Sequence, residues 1–275
     1  MGSPGVLRTA GRYGLLTFAA VIVFLPIYTT LVVSIQPGDR FLDFPGVLLP
    51  TDIDLGTFSR AIETGRLGRY LLNSAIVTAV IVAGQLITSV LAAYAFAYLR
   101  FPLKRWVFLG FLATLMVPAE VTLVANYETM QNLEWLDTYQ ALTVPFLATA
   151  FGTFLLRQSF LQVPQDLRDA AALDGYGHRG FLFGVAVPMA KPTVAALTVF
   201  SFLLAWNQYL WPLLVTNDDD VRTAQIGLKQ LSSSNVDQLN LVMAGTVLVA
   251  LPIFVLLLLF QRQLVRGLTS GAVKG

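Results

Sequence analysis

Charged residues divide this chain into long apolar runs. Uncharged stretches extend from Tyr13 to Gly38, Tyr70 to Leu99, Thr138 to Leu156, Pro192 to Asn217 and Gln238 to Gln261. A sixth begins after Lys104-Arg105 and is interrupted only by Glu120. Crossing the roughly 30 Å hydrocarbon core takes about 20 helical residues, and each run is long enough. The apolar positions are continuous rather than alternating, which argues against a β-barrel. Lipid cannot satisfy an exposed backbone amide, so helices are the natural spanning form. The pattern predicts an all-α membrane protein: one membrane domain over residues 1–275, with spans at about 13–35, 70–98, 105–126, 138–157, 186–215 and 239–261. Those are six transmembrane helices. The first has too long an apolar core for a cleaved signal peptide and reads as a retained anchor.

Composition agrees. Hydrophobic residues make up 56% of the chain and charged residues 12%, against about 45–50% and about 25% in soluble domains. The mean hydropathy is +0.68. A net charge of +2 leaves no nucleic-acid footprint. Cysteine is absent and His178 is the one histidine, so thiol chemistry is excluded and little material remains for a metal site or an imidazole base. Orientation follows from Lys and Arg. With the N-terminus inside, Arg8, Arg12, Arg100, Lys104, Arg105, Arg157, Arg168, Arg179, Lys191, Arg262, Arg266 and Lys274 are cytoplasmic, 12 of the 18 basic residues. The positive-inside rule therefore predicts that both termini are cytoplasmic.

The connections differ in character. The first external segment carries Pro37-Gly38-Asp39, Phe44-Pro45-Gly46 and Pro50-Thr51-Asp52, a series of turns over the outer surface. Residues 158–185 are unlike it. Pro164 suits the first position of a short helix, Gln165-Asp166 place an acid where the dipole favours it, and Ala170, Ala171, Ala172 and Leu173 continue on strong helix formers. Asp174-Gly175 supplies the stop, and Pro188 and Pro192 bend a second segment into the fifth span. By shape alone this is equally an ordinary interfacial re-entry loop.

The residues themselves carry a resemblance. Asp169-Ala170-Ala171, Asp174-Gly175, Pro188 and Pro192 resemble in type and spacing the EAA loop of bacterial ABC importer permeases. Leu72-Asn73-Ser74, Phe154-Leu155-Leu156-Arg157-Gln158, Trp206-Asn207-Gln208-Tyr209-Leu210-Trp211-Pro212 and the tail from Arg266 to Gly275 are similar to those of carbohydrate-uptake permeases of the MalG type. Within that group, residues 117–145 and the Trp206–Pro212 run look most like permeases for glycerol-3-phosphate and glycerophosphodiesters. The resemblance implies a type I ABC importer permease fold in a bacterial cytoplasmic (inner) membrane, with residues 158–185 as a coupling loop. It also implies partners: a second permease subunit, two ATPase subunits that hold ATP and Mg, and an extracytoplasmic substrate-binding protein. On that basis Asp169 makes a charge-assisted contact with the ATPase, Ala170, Ala171 and Leu173 form the close-packed face, and Asp174-Gly175 makes the turn. Thr269, Gly271 and Lys274 of the 262–275 tail would reach the ATPase dimer. Two positions depart from the family pattern. Asp169 stands in place of Glu, one methylene shorter, and Tyr176 replaces a small residue and would fill a groove that alanine leaves open.

Other residues have two readings each. Trp206, Asn207, Gln208, Tyr209 and Trp211 either line a substrate path or anchor a helix at the membrane interface. Glu120, about 15 residues past Arg105, falls near the outer edge of the core and reads as an interfacial acid rather than a proton relay. His178 reads as a solvated loop residue and Asp218 to Asp220 as a solvated turn. The chain has no G-x-x-x-x-G-K-[ST] element, so ATP must be hydrolysed elsewhere, and it needs no cofactor or metal of its own. A sugar or oligosaccharide importer is the alternative within the family. Outside it stand a secondary transporter, which should show inverted repeats and mid-membrane charges, and a membrane enzyme, which should show a polar catalytic cluster.

Overall fold

The computed structural model describes residues 4–38, 48–50, 52–234 and 238–269, and no strand occurs among them. In chain order the α-helices are α1 (Pro4–Ser34), α2 (Gly56–Thr64), α3 (Leu67–Tyr98), α4 (Lys104–Ala113), α5 (Leu123–Asn132), α6 (Tyr139–Thr143) and α7 (Ala150–Leu161). There follow α8 (Gln165–Leu173), α9 (His178–Phe181), α10 (Val187–Met189), α11 (Lys191–Trp206), α12 (Leu210–Val215), α13 (Ala224–Ser234) and α14 (Leu239–Thr269). Two compact units emerge, Met1–Arg69 with Gly227–Leu251, and Tyr70–Ile226 with Pro252–Gly275.

Three helical runs are long and apolar enough to cross a membrane unbroken: Gly11–Ser34, Leu67–Tyr98 and Leu239–Gln261. Three more runs qualify as bent pairs, giving up to six spans: Lys104–Met116 with Glu120–Asn132 at 91°, Tyr139–Phe146 with Ala150–Leu161 at 43°, and His178–Met189 with Lys191–Trp206 at 78°. The apolar runs 105–126, 138–157 and 186–215 are thus not straight helices, and proline accounts for two of the breaks. Pro118 has no N–H and pushes Val117 into an extended conformation, φ −84° and ψ 116°. Pro192 sits in the first turn of α11, where its missing donor costs nothing, so the helix restarts there after Ala190. Thr149 is extended ahead of α7, and α11 stops at Asn207 before α12 begins at Leu210.

In the first unit, α1 turns large apolar side chains outward along its length, Phe18 and Phe24 among them, the surface a lipid-facing helix presents. The residues that follow α1 are tied by polar contacts. Asn240 Nδ2 donates to the Gln36 carbonyl at 3.0 Å, and Asp54 N–H donates to the Ile35 carbonyl at 2.7 Å. Arg60 donates to the Asp54 carboxylate at 2.5 Å and holds that carboxyl below its usual range.

The second unit has two apolar cores. One gathers Tyr94 from α3, Leu156 and Phe160 from α7, Ala171 from α8, and Phe181, Leu182 and Leu197 from the elements around α9 and α11. The other packs Val77 and Ile81 of α3 against Met130, Leu142, Trp211 and Val215. Gly84 lets α3 approach Leu147 closely, since a Cβ there would lie 2.5 Å from Leu147 Cδ2; small residues serve this purpose wherever membrane helices touch.

Candidate functional site

Two places in the second unit concentrate the residues singled out from the sequence. The first is α8 and the turn after it. Pro164 precedes the helix and Asp166 lies in its first turn. The helix ends in a Schellman motif: Tyr176 N–H donates to the Ala171 carbonyl at 2.9 Å and Gly175 N–H to the Ala172 carbonyl at 3.1 Å. That geometry requires a left-handed residue just past the helix end, and Gly175 supplies it at φ +78° with nothing within 4 Å of where a Cβ would sit.

Side chains divide sharply on this helix. Ala171 is buried in the core around Phe160 and Phe181. Asp169, Ala170 and Asp174 are exposed, and Leu173 is 89% exposed. Of the three residues expected to form one close-packed face, Ala171 is therefore already used by the chain itself, while Ala170 and Leu173 face out. The reason is the 3.6-residue period, which turns position 171 inward and its neighbours at 170 and 173 away.

The Tyr176 ring, half exposed, lies against two glycines. A Cβ on Gly180 would lie 3.0 Å from Tyr176 Cδ1, and one on Gly184 would lie 2.9 Å from its Cε1. Gly184 belongs to a π-helical turn, Leu182–Ala186, that leads from α9 into α10. Beneath the loop a cavity of about 220 Å³ is lined by Tyr94, Tyr98, Arg168, Tyr176, His178 and Phe181, among others. His178 is exposed but not simply solvated, because its Nδ1 lies 2.9 Å from the Tyr94 hydroxyl. Tyr98 donates to the Phe160 carbonyl at 2.5 Å, and the Arg168 guanidinium stands 5.2 Å from the Tyr98 ring. The loop thus rests on the end of α3 through aromatic and hydroxyl contacts that the sequence alone did not signal.

The second place is a cavity of about 420 Å³ bounded by Glu120, Thr122, Leu123, Asn126 and Phe146 on one side and by Leu204 and residues 208–211 on the other. Its size is ordinary for a small-molecule site. The Trp206–Trp211 run divides here. Gln208, Tyr209 and Trp211 line the cavity. Trp206 is buried and stacks on Phe202, with ring centroids 5.4 Å apart. Asn207 turns back on its helix, donating to the Leu203 carbonyl at 2.8 Å and facing Gln225 Nε2 at 3.3 Å. Trp211 is a wall rather than a ligand arm, since its indole N–H donates to the Ala141 carbonyl at 2.9 Å. Glu120 joins the cavity because the break at Val117–Pro118 swings the second limb across it. The lone acid beside a proline was the available signal.

A third cluster is structural. Asn73 is fully buried, donates to the carbonyls of Asp220 and Arg222 at 2.8 Å each, and accepts from the Tyr139 hydroxyl at 2.7 Å. Ser74 Oγ accepts from Ala224 N–H at 2.8 Å. The Asp218–Asp220 turn is thereby fixed, with Asp137 accepting from the amides of Asn217 and Asp218, and Arg222 paired to Asp219 at 2.7 Å. Asn73→Ala should lower stability by about 2–3 kcal/mol, because it orphans two backbone carbonyls at once. The melting temperature of the purified permease in detergent reads this, and an unchanged value would show that water replaces the amide. Thr269 ends α14, and Gly271 and Lys274 lie outside the described residues.

Comparison with known proteins places the fold and the family. The model of the family "Binding-protein-dependent transport system inner membrane component" matches residues 85–270. The chain is 36% identical over 265 residues to the sn-glycerol-3-phosphate transport system permease protein UgpE of Yersinia pestis bv. Antiqua, covering 94% of both chains. It is 37% identical over 265 residues to the UgpE protein of Brucella abortus, covering 93% of this chain and 94% of that one. Among solved structures, a chain from a bacterial ABC transporter involved in the import of the acidic polysaccharide alginate shares the fold. It has a TM-score of 0.84 at 22% identity, over 95% of this chain and 98% of that one. The family match begins within α3 and runs through α14, taking in α8 and the cavity, and the chain belongs to the inner membrane components of binding-protein-dependent transport systems.

Proposed function

We propose that this chain is one permease subunit of an ATP-driven importer for sn-glycerol-3-phosphate or glycerophosphodiesters. It pairs with a second permease and is driven by two ATPase subunits that bind the cytoplasmic loop 158–185. An extracytoplasmic binding protein delivers the substrate, and both termini face the cytoplasm. Closure of the ATPase dimer draws the coupling helices together, and the membrane cavity turns outward; opening reverses it. Asp169, Ala170 and Leu173 form the surface offered to the ATPase, Asp174 and Gly175 set its angle, and Thr269, Gly271 and Lys274 add a tail contact.

One observation carries the coupling role. Helix α8 is anchored by Ala171 and the Schellman turn while Leu173, a large apolar residue, stands 89% exposed. On a loop outside the apolar spans, a large apolar side chain beside exposed Asp169 and Ala170 fits the anchor of a helix that docks in a groove. The substrate class rests on relatives at 36–37% identity that are named for glycerol-3-phosphate. A sugar importer is the second reading, favoured by a cavity with no Lys or Arg among its described lining residues.

The test is uptake by the four-subunit complex reconstituted in vesicles with its binding protein and ATP. Labelled sn-glycerol-3-phosphate should accumulate only with ATP and should be indifferent to ionophores. Uptake of an oligosaccharide instead would select the second reading, and ionophore-sensitive uptake without ATP would overturn both.

A further inference from the structure

Three cations converge on the last turn of α3. Arg157 Nε donates to the Phe96 carbonyl at 3.1 Å, and Lys104 Nζ donates to the carbonyls of Leu99 at 2.9 Å and Ala97 at 3.4 Å. The Arg168 guanidinium stands 5.2 Å from the ring of Tyr98, in the same turn. Arg157 and Arg168 are both near enough to Lys104 for their charges to oppose its own. Capping explains why cations gather here, since a helix C-terminus carries orphan carbonyls and about half a negative charge. It does not explain three. Among the described residues no carboxylate lies within ion-pair distance of Lys104, Arg157 or Arg168. Residues 99–105 add exposed Arg100 and Arg105 and no acid. The start of α4 has no side-chain cap and no acid in its first turn, so its dipole adds to the positive field. Arg168 is exposed and Lys104 and Arg157 are half-buried, which leaves the cluster open to an anion from outside the chain.

What adjoins the cluster selects the kind of anion. Helix α4 begins at Lys104 and buries none of its residues. Trp106, Val107 and Leu109 are exposed along it, and the Arg157 guanidinium lies 4.3 Å from the Phe108 ring. The run Lys104–Met116 is roughly 20 Å long at about 1.5 Å per residue, comparable with one leaflet of the hydrocarbon core, about 15 Å. An apolar track of one leaflet's depth therefore starts at a cationic head, with Trp106 at the junction, where aromatic side chains favour the interface. A free phosphate would leave that track unused, whereas a phospholipid matches both parts.

We infer that Lys104, Arg157 and Arg168 form a site for the headgroup of an anionic phospholipid whose acyl chains lie along α4. Because Arg168 belongs to α8, the bound lipid ties that helix to the ends of α3 and α4.

The experiment offers the transporter complex, purified in mild detergent, equal amounts of phosphatidylglycerol and phosphatidylcholine with the same acyl chains, and counts bound lipid by native mass spectrometry. The wild type should favour phosphatidylglycerol. A cation beside an anionic headgroup is worth about fivefold, so Arg168→Gln should lower the preference about fivefold and glutamine at all three positions about a hundredfold. Arg168 makes no hydrogen bond among the described residues, so its variant tests the site even where losing the caps at Lys104 and Arg157 unfolds the helix end. Lys229→Gln removes an equal charge from α13 and should leave the preference unchanged. Equal binding of the two lipids by the wild type would overturn the site, and so would a preference that Lys229→Gln lowers as much as Arg168→Gln. Displacement of the lipid by inorganic phosphate at matched concentration would show a site for the phosphate anion alone and overturn the lipid assignment.

Discussion

Leu173→Asp is expected to strip the ATPase from the complex and abolish ATP-driven uptake while leaving the permease folded. With 89% of its surface exposed, Leu173 contributes almost nothing to the packing of its own chain; substitutions at such positions usually change stability by less than about 0.5 kcal/mol. In a docking cleft the balance is different. Burying a leucine is worth about 1.5–3 kcal/mol, and replacing it with aspartate forfeits that and adds the cost of desolvating a charge. The combined loss exceeds about 3 kcal/mol, more than a hundredfold in affinity. Leu173→Met keeps volume and apolarity and should bind within a few fold of the wild type. The measurement is the amount of ATPase retained by affinity-tagged permease after mild-detergent extraction, together with uptake. An aspartate variant that keeps its ATPase and transports within twofold of wild type would remove α8 as the docking element. The same variant with a lowered melting temperature would show that Leu173 packs within its own chain after all.

The chain disclosed its spans unevenly, and the reasons are local. The runs around Phe18, Ile81 and Phe254 read directly as helices, and all three are unbroken in the structure although Pro26 and Pro252 lie inside two of them. The other three are as apolar yet bend, because hydropathy counts side chains and does not report breaks in the backbone, two of which fall at Pro118 and Pro192. Pro118 was visible as a letter, but its 91° consequence depends on Val117 turning extended, which periodicity does not report. The end of α8 was legible, since Asp174-Gly175 has the chemistry of a left-handed cap. What lies under it was not. The seat of the Tyr176 ring on Gly180 and Gly184 comes from a π-turn, whose five-residue register no α-helical pattern anticipates. The Trp206–Trp211 run divides for a related reason. The break at Asn207 to Tyr209 resets the helical phase, so Trp206 turns into the protein while Gln208 and Trp211 meet Glu120 across the cavity.

Gly175→Val should cost the transporter most of its activity, and Gly175→Asn should restore it. Space is not the issue, since nothing lies within 4 Å of the position a Cβ would take. The cost is conformational. At φ +78° a β-branched residue meets its own carbonyl, a penalty of about 2 kcal/mol, whereas asparagine visits this region readily. The turn would relieve that strain by leaving the left-handed region. Doing so breaks the bonds from Tyr176 and Gly175 to the carbonyls of Ala171 and Ala172, and lifts the Tyr176 ring from its glycine seat. These contacts fix the direction of α8 relative to α9, while the apolar packing of Ala171, Phe160 and Phe181 remains to hold the loop on the chain. The valine variant should therefore insert and assemble, yet hold α8 in the docking geometry only a small fraction of the time. A bias of about 2 kcal/mol lowers that fraction about thirtyfold, and coupled uptake falls with it. ATP hydrolysis should continue but respond weakly to substrate-loaded binding protein. Uptake and stimulated hydrolysis measured side by side in valine and asparagine variants decide the matter. Equal activity in the two would mean that the left-handed turn is a convenience of folding, and that force crosses from α8 to the membrane helices by another contact.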